Sequence, residues 1–149
     1  MRSLWLLVLV TGLAGQGALA GDAPVDLGAA TQGWINATRA AAGRAPLAVS
    51  DALARAAAAH ARDIARTGRF SHTGRDGSGI GDRVRRQGYD YCFAAENIAW
   101  GQATTDEALR EWMASPSHRR NLLSPRAAEF GLVRVAGRVW VMVLGRTGC

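Results

Sequence analysis

The sequence predicts an α+β domain in which helices precede and separate the strands of a small, mainly antiparallel sheet. Three observations carry that prediction. Two long runs with apolar residues at helical spacing fill the chain between Leu27 and Thr67, each closed by a glycine. The run Ala94–Gly101 places Glu96, Ile98 and Trp100 at period two, as a strand does. Near the C-terminus, Phe130–Val135 and the wholly apolar Val139–Leu144 flank the turn Ala136-Gly137-Arg138, which is the pattern of a hairpin with one strand covered on both faces.

Residues 1–20 stand apart. One charge at Arg2, an apolar run from Leu4 to Val10 and the small-residue ending Ala18-Leu19-Ala20 predict a secretory signal peptide cleaved after Ala20. The run is too short for a good membrane span, so no span is expected after cleavage. Residues 21–149 are then expected to form one domain, monomeric and either secreted or periplasmic, large enough for a core of its own. Cys92 and Cys149 both fall in the exported part, which fits a single disulfide better than two free thiols.

The chain carries 18 basic and 12 acidic residues, and every basic residue is arginine. Guanidinium forks match carboxylate and phosphate geometry, so an anionic envelope component, lipid head groups or a small polar ligand are the expected partners. Nucleic acid is excluded as the expected partner: the arginines are dispersed and no recognition motif interleaves them with aromatics.

The first helix is expected over Leu27–Ala42, with Ala30, Trp34, Thr38 and Ala41 on one face and Gly43 as its stop. Asn36 and Arg39 lie one turn apart on it, either as surface residues or as anchors to a neighbouring loop. Ser50 or Asp51 caps a second helix through Thr67, ended by Gly68, with the stripe Leu53, Ala57, Ala61, Ile64 and Ala65. His60 beside that stripe reads as a core-facing residue bonded to backbone. Phe70–Gly79 is too rich in glycine and polar residues for a regular element and reads as an ordered loop, with Phe70 as its hydrophobic foot and His72 on the same side. A short helix Gly81–Gln87 follows, basic on one side through Arg83 and Arg86.

Glu96 continues the inward side of its strand. An isolated buried carboxylate costs several kcal/mol, by the order of magnitude of desolvation penalties, so Glu96 calls for a histidine or a metal as partner. Thr104 and Glu107 form a capping box opening a helix with Ala108, Leu109, Trp112 and Met113 inward, and Glu107 and Glu111 in solvent. Ser115-Pro116 then starts another helix: the serine hydroxyl is expected to accept a backbone N–H, proline suits the first position, and His118 falls in the first turn. The positive end of the helix disfavours a protonated ring there, leaving a neutral imidazole able to ligate or to act as a base. Ser124-Pro125 ends that helix.

Five stretches in order, Asn36-Ala-Thr-Arg39, Gly43-Arg-Ala-Pro-Leu47, Phe70-Ser71-His72, Glu96-Asn97-Ile98-Ala99 and Trp112-Met113-Ala114-Ser115-Pro116-Ser117-His118-Arg119, resemble the bacterial branch of the CAP superfamily. The same domain is known as SCP, and the superfamily includes cysteine-rich secretory proteins, antigen 5 and pathogenesis-related 1 proteins. The resemblance runs from about Thr31 to Gly145 and implies an α-β-α sandwich with a cleft lined by two histidines and two acids. By motif His72 and His118 match the histidines and Glu96 the first acid, with Asn97 beside it. The second acid of eukaryotic members falls on Ser115. Two histidines and one glutamate are a ligand set for a divalent ion, zinc foremost, with an open position. The expected function is that of a non-enzymatic binding module. The alternative is a metal-dependent hydrolase of peptide or cell-wall material, and a third reading makes the cleft residues a network that fixes the loop Phe70–Gly79. Likeness of fold supports a site and not a reaction.

Overall fold

The computed structural model describes residues 23–136 and 138–149. The expected signal peptide and the turn residue Gly137 lie outside the described residues. Helix α1 spans Gly28–Ala41, α2 Asp51–Thr67, α3 Ile80–Arg86, α4 Thr105–Ala114 and α5 Pro116–Leu122. The strands are β1 Val25–Asp26, β2 Ala48–Val49, β3 Tyr91–Trp100, β4 Glu129–Val135 and β5 Val139–Thr147. Antiparallel pairing gives the order β1-β4-β5-β3, and β2 adds to β4 in parallel.

Side-chain alternation on the strands divides the interior into two cores. On β5, Val139, Val141 and Val143 join Leu53, Ala57, Ala61 and Ile64 of α2 and Val84 of α3. Trp140, Met142 and Leu144 face the other way, toward Ile35 of α1, Leu109 and Trp112 of α4, and Leu122 of α5. The sheet is thus covered on both faces, which makes the architecture the α-β-α sandwich that the resemblance implied.

Ser50 caps α2, its Oγ accepting from Leu53 N, and Gly68 ends the helix at φ 68°, a left-handed conformation that glycine adopts without a Cβ clash. Two expected helix faces need correction. In α1 the buried residues include Thr31, Ile35 and Arg39, while Ala30 and Ala41 are exposed. The face is turned because Arg39 is an interior residue: it donates from Nε to Ala45 O at 2.8 Å and from Nη1 to Leu122 O at 2.7 Å. Asn36 anchors the same connection, exchanging bonds with Leu47 N and O. In α2, Ala65 is exposed and Ala54 takes the inward place. The third strand begins at Tyr91, not Ala94, so Cys92 lies within β3 and not in a loop before it. Cys92 is bonded to Cys149, tying the C-terminal residue to the third strand.

No helix among the described residues is long and apolar enough to cross a membrane. Helix α2 approaches the sheet closely at Gly131, where an added Cβ would sit 2.5 Å from Ala54 Cα. The obstructing atoms are backbone and cannot swing aside, so Gly131→Ala is expected to destabilise the fold by about 3 kcal/mol or more, the upper end of overpacking costs. Urea unfolding followed by circular dichroism measures this; an unchanged midpoint would contradict the packing described.

Candidate functional site

β3 is an outermost strand of the sheet, so groups from the two helical layers can meet across its free edge. Consecutive residues on it face opposite layers. Glu96 points toward α2 and α3, where its side chain is 2% exposed. Its Oε2 accepts from Arg83 Nη2 at 2.8 Å and its Oε1 from His72 Nδ1 at 2.8 Å, with His60 Nε2 at 3.7 Å from Oε1. The inward carboxylate found partners of two kinds: the histidine that its burial called for, and an arginine from the basic side of the short helix α3. Arg83 is 5% exposed and is the residue that sequence reasoning missed. The signal was present, since a buried anion requires a cation and α3 is the short basic element before β3.

The same guanidinium organises the loop Phe70–Gly79. Arg83 donates from Nη1 to Ser78 O at 2.8 Å and from Nη2 to His72 O at 3.0 Å, while His60 Nε2 donates to Ser71 O at 2.9 Å. His60 is 1% exposed, core-facing and backbone-bonded, as its position on the helix indicated. Burial pushes its pKa down, and Arg83 adds to that, while Glu96, the Ser71 carbonyl and Asp63 oppose it. Phe70 is not a foot in the core: it is 51% exposed and packs on Trp100, itself 40% exposed, with ring centroids 6.2 Å apart.

On the other face, Asn97 is fully buried and donates from Nδ2 to His118 O at 3.0 Å. Its Oδ1 accepts from Asn121 Nδ2 at 2.9 Å, and that amide also reaches Glu96 O at 3.2 Å. Asn121, unmarked in the sequence reading, therefore ties α5 to the strand edge. Ser115 joins two helices: its N–H closes α4 on Glu111 O and its carbonyl accepts from Arg119 N at 2.8 Å. Pro116 takes the first position of α5 as expected, but the Ser115 hydroxyl lies 3.3 Å from Ser117 Oγ and makes no capping bond, a correction to its predicted role.

The His118 ring is half-buried. Its pKa is lowered by burial first and then by the charge of His72, with Glu111 acting the other way. The neutral form expected from the helix start is thus favoured through burial and through a second imidazole across the edge. The set of three metal ligands His72, Glu96 and His118 is not assembled: among the described residues no three His, Cys, Asp or Glu side chains form a group able to hold a metal ion. Arg83 shares Glu96 with His72 and places a fixed positive charge against it. Because a carboxylate only accepts, the bond to Glu96 places a proton on His72 Nδ1, so the Nε2 atom is the lone-pair nitrogen of the ring's neutral tautomer.

Residues 32–143 match the family model described as CAP, the cysteine-rich secretory protein family, and the chain belongs to that family. The uncharacterized protein YkwD of Bacillus subtilis (strain 168) is 34% identical over 106 residues, which are 70% of this chain and 41% of that protein. An uncharacterized membrane protein, YlbC of the same organism, is 29% identical over 97 residues, 65% of this chain and 28% of its own length. The chain therefore spans less than half the length of the curated relatives it matches. Among solved structures, an extracellular protein containing an SCP domain from Bacillus anthracis str. Ames superposes with a TM-score of 0.76 at 27% identity, over 80% of this chain and 40% of that one. An outer surface protein from Borrelia burgdorferi gives a TM-score of 0.75 at 19% identity over 84% and 98% of the two chains, a likeness of fold alone.

Two outcomes follow from this geometry. Arg83→Leu leaves the Glu96 carboxylate buried without its cation and is expected to cost about 3–5 kcal/mol, the range for breaking a buried pair; equal urea midpoints for variant and wild type would refute the pairing. For pH, His60 has a folded pKa below its ordinary 6.5, so below that value the unfolded chain binds more protons than the folded one. The stability due to the neutral ring is present above pH 6.5 and is lost as pH falls toward the folded pKa, with His118 contributing in the same sense. The melting temperature should drop on acidification through this window, and His60→Asn should flatten the drop. A slope equal to wild type would remove His60 as its source.

Proposed function

We propose that the chain is an exported binding module of the cell envelope whose ligand sits between His72 and His118 at the free edge of β3. The observation that carries this reading is a buried carboxylate directed at an exposed ring: Glu96 is 2% exposed and His72 58% exposed, and the two are joined at 2.8 Å. Fixing a solvent-facing imidazole in one tautomer and orientation serves ligand binding, and a carboxylate behind a histidine is the usual support of a metal-ligating ring. Export rests on the sequence of residues 1–20 and is supported by the extracellular description of the similar Bacillus anthracis structure.

A divalent ion, zinc foremost, suits the two imidazoles. The donors that fit are His72 through Nε2 and His118, whose ring burial holds neutral; Glu96 fits only as the group behind His72, since both its oxygens are engaged. Two protein nitrogens leave coordination positions for water or for a ligand from the envelope, and such an ion would supply Lewis acidity to whatever binds there. The hydrolase alternative asks Glu96 to act as general base, a role for which a carboxylate must reach the substrate or one water. With Arg83 on one oxygen and His72 on the other, it is the less supported reading.

Zinc titration by calorimetry tests the proposal. Wild type should take up one ion, and His72→Ala and His118→Ala should each lose it while keeping their melting temperatures. Absence of heat in the wild type would sink the metal reading. Release of soluble fragments from purified peptidoglycan by wild type, abolished in Glu96→Gln, would instead establish the hydrolase.

A further inference from the structure

A cation stands in the interior behind the helix that carries His118. Arg39 of α1 is 0% exposed, and among the described residues it forms no ion pair. Its partners are all backbone carbonyls: Nε donates to Ala45 O at 2.8 Å, and Nη1 to Leu122 O at 2.7 Å and Ser124 O at 3.1 Å. Nη2 is buried without a hydrogen bond. Burial pushes the guanidinium pKa down, and the charge of Arg44 adds to that. A buried charge without a counter-charge is costly, and an apolar side chain of similar volume fills a core at least as well. Filling space therefore does not account for an arginine at this position.

What a guanidinium does and a hydrocarbon cannot is hold the carbonyls of separate segments in one fixed arrangement. Ala45 belongs to the connection that follows α1, Leu122 is the last residue of α5, and Ser124 lies just beyond it. The final carbonyls of a helix have no partner within it, and here a side chain from a distant helix supplies one. His118 lies one turn before Leu122, about 6 Å along the axis. Its own carbonyl is held from the strand side by Asn97 Nδ2 at 3.0 Å, and Asn121 donates to Asn97 Oδ1 at 2.9 Å. Helix α5 is thus fastened to β3 by asparagines and, at its end, to α1 by Arg39. A helix this short, held at both places, cannot swing, and the His118 ring is carried with it.

We propose that Arg39 is a positioning residue of the cleft: through the last carbonyls of α5 it sets where the His118 ring stands across the strand edge from His72. The inference rests on the reading of His118 as a ligand-facing ring, but it concerns how that ring is held, whatever it binds.

Arg39→Lys keeps the charge and loses the planar fork, which a single ammonium does not replace. In nitrogen-15 NMR of the purified protein free of metal, the His118 imidazole resonances should shift in this variant, while those of His60, on α2 across the sheet, stay in place. Zinc affinity by calorimetry should fall about tenfold, or 1.4 kcal/mol. In the wild type, the Leu123 amide, which donates to Arg119 O at 2.9 Å, should exchange with solvent as slowly as that of the buried Ile35 on α1. This last measurement decides the matter where Arg39→Lys does not fold. A wild type that takes up no zinc, beside a variant with shifted His118 resonances, would remove the metal reading and keep this one. The proposal is overturned if His118 resonates alike in Arg39→Lys and wild type, if His60 moves as far as His118, which is the mark of general loosening, or if Leu123 exchanges freely while Ile35 stays protected.

Discussion

The contact between Glu96 and Arg83 is the constraint on which the rest of the site depends. Both groups are nearly removed from water, and a carboxylate or guanidinium taken there alone would be strongly disfavoured. Joined, they fix more than each other. The guanidinium also holds carbonyls at His72 and Ser78, so one side chain determines the course of a glycine-rich loop that has no regular secondary structure of its own. The carboxylate in turn fixes the His72 ring. A displacement of α3 relative to β3 would therefore disturb the loop, the ring and the buried His60 together.

The position of β3 at the outside of the sheet explains why side chains of both helical layers meet there. A central strand is hidden by its neighbours on both sides, whereas an edge strand leaves a seam where the two helical layers can approach one another. From one layer come the loop and His72; from the other come α5 and His118, held by Asn97 and Asn121. The edge itself is made safe in the process, since Glu96 O and Ile98 O accept from Asn121 Nδ2 and Trp112 Nε1. Protection of the strand edge and placement of the imidazole are thus achieved by the same helix pair.

Membership of the CAP family accounts for the scaffold but leaves chemistry to particular residues. Ser115, which stands where eukaryotic members of the superfamily carry a second acid, here joins α4 to α5 through its backbone, and its hydroxyl turns to Ser117. The acid that is present, Glu96, is engaged by Arg83 on one oxygen and His72 on the other.

Periodicity and capping are local properties, so the sequence by itself determined the five helices and the hairpin to within a few residues: Ser50 and Gly68 bound α2 because one supplies an oxygen and the other a positive φ, whatever surrounds them. The inward direction of Glu96 was equally legible from its alternation with Ile98. Partners were not. The pattern left Arg39 open between surface and loop anchor and showed Arg83 only as part of a basic helix side, and their burial by carbonyls or a carboxylate far away in the chain, as at Leu122 and Glu96, could not be read from it. Which ring meets Glu96, that its second oxygen faces a guanidinium and not an open coordination position, and that Phe70 lies on Trp100 outside the core were decided only by tertiary structure. The reason is physical: the energy of a buried charge depends on what packs against it, and that is settled when separate elements close upon one another.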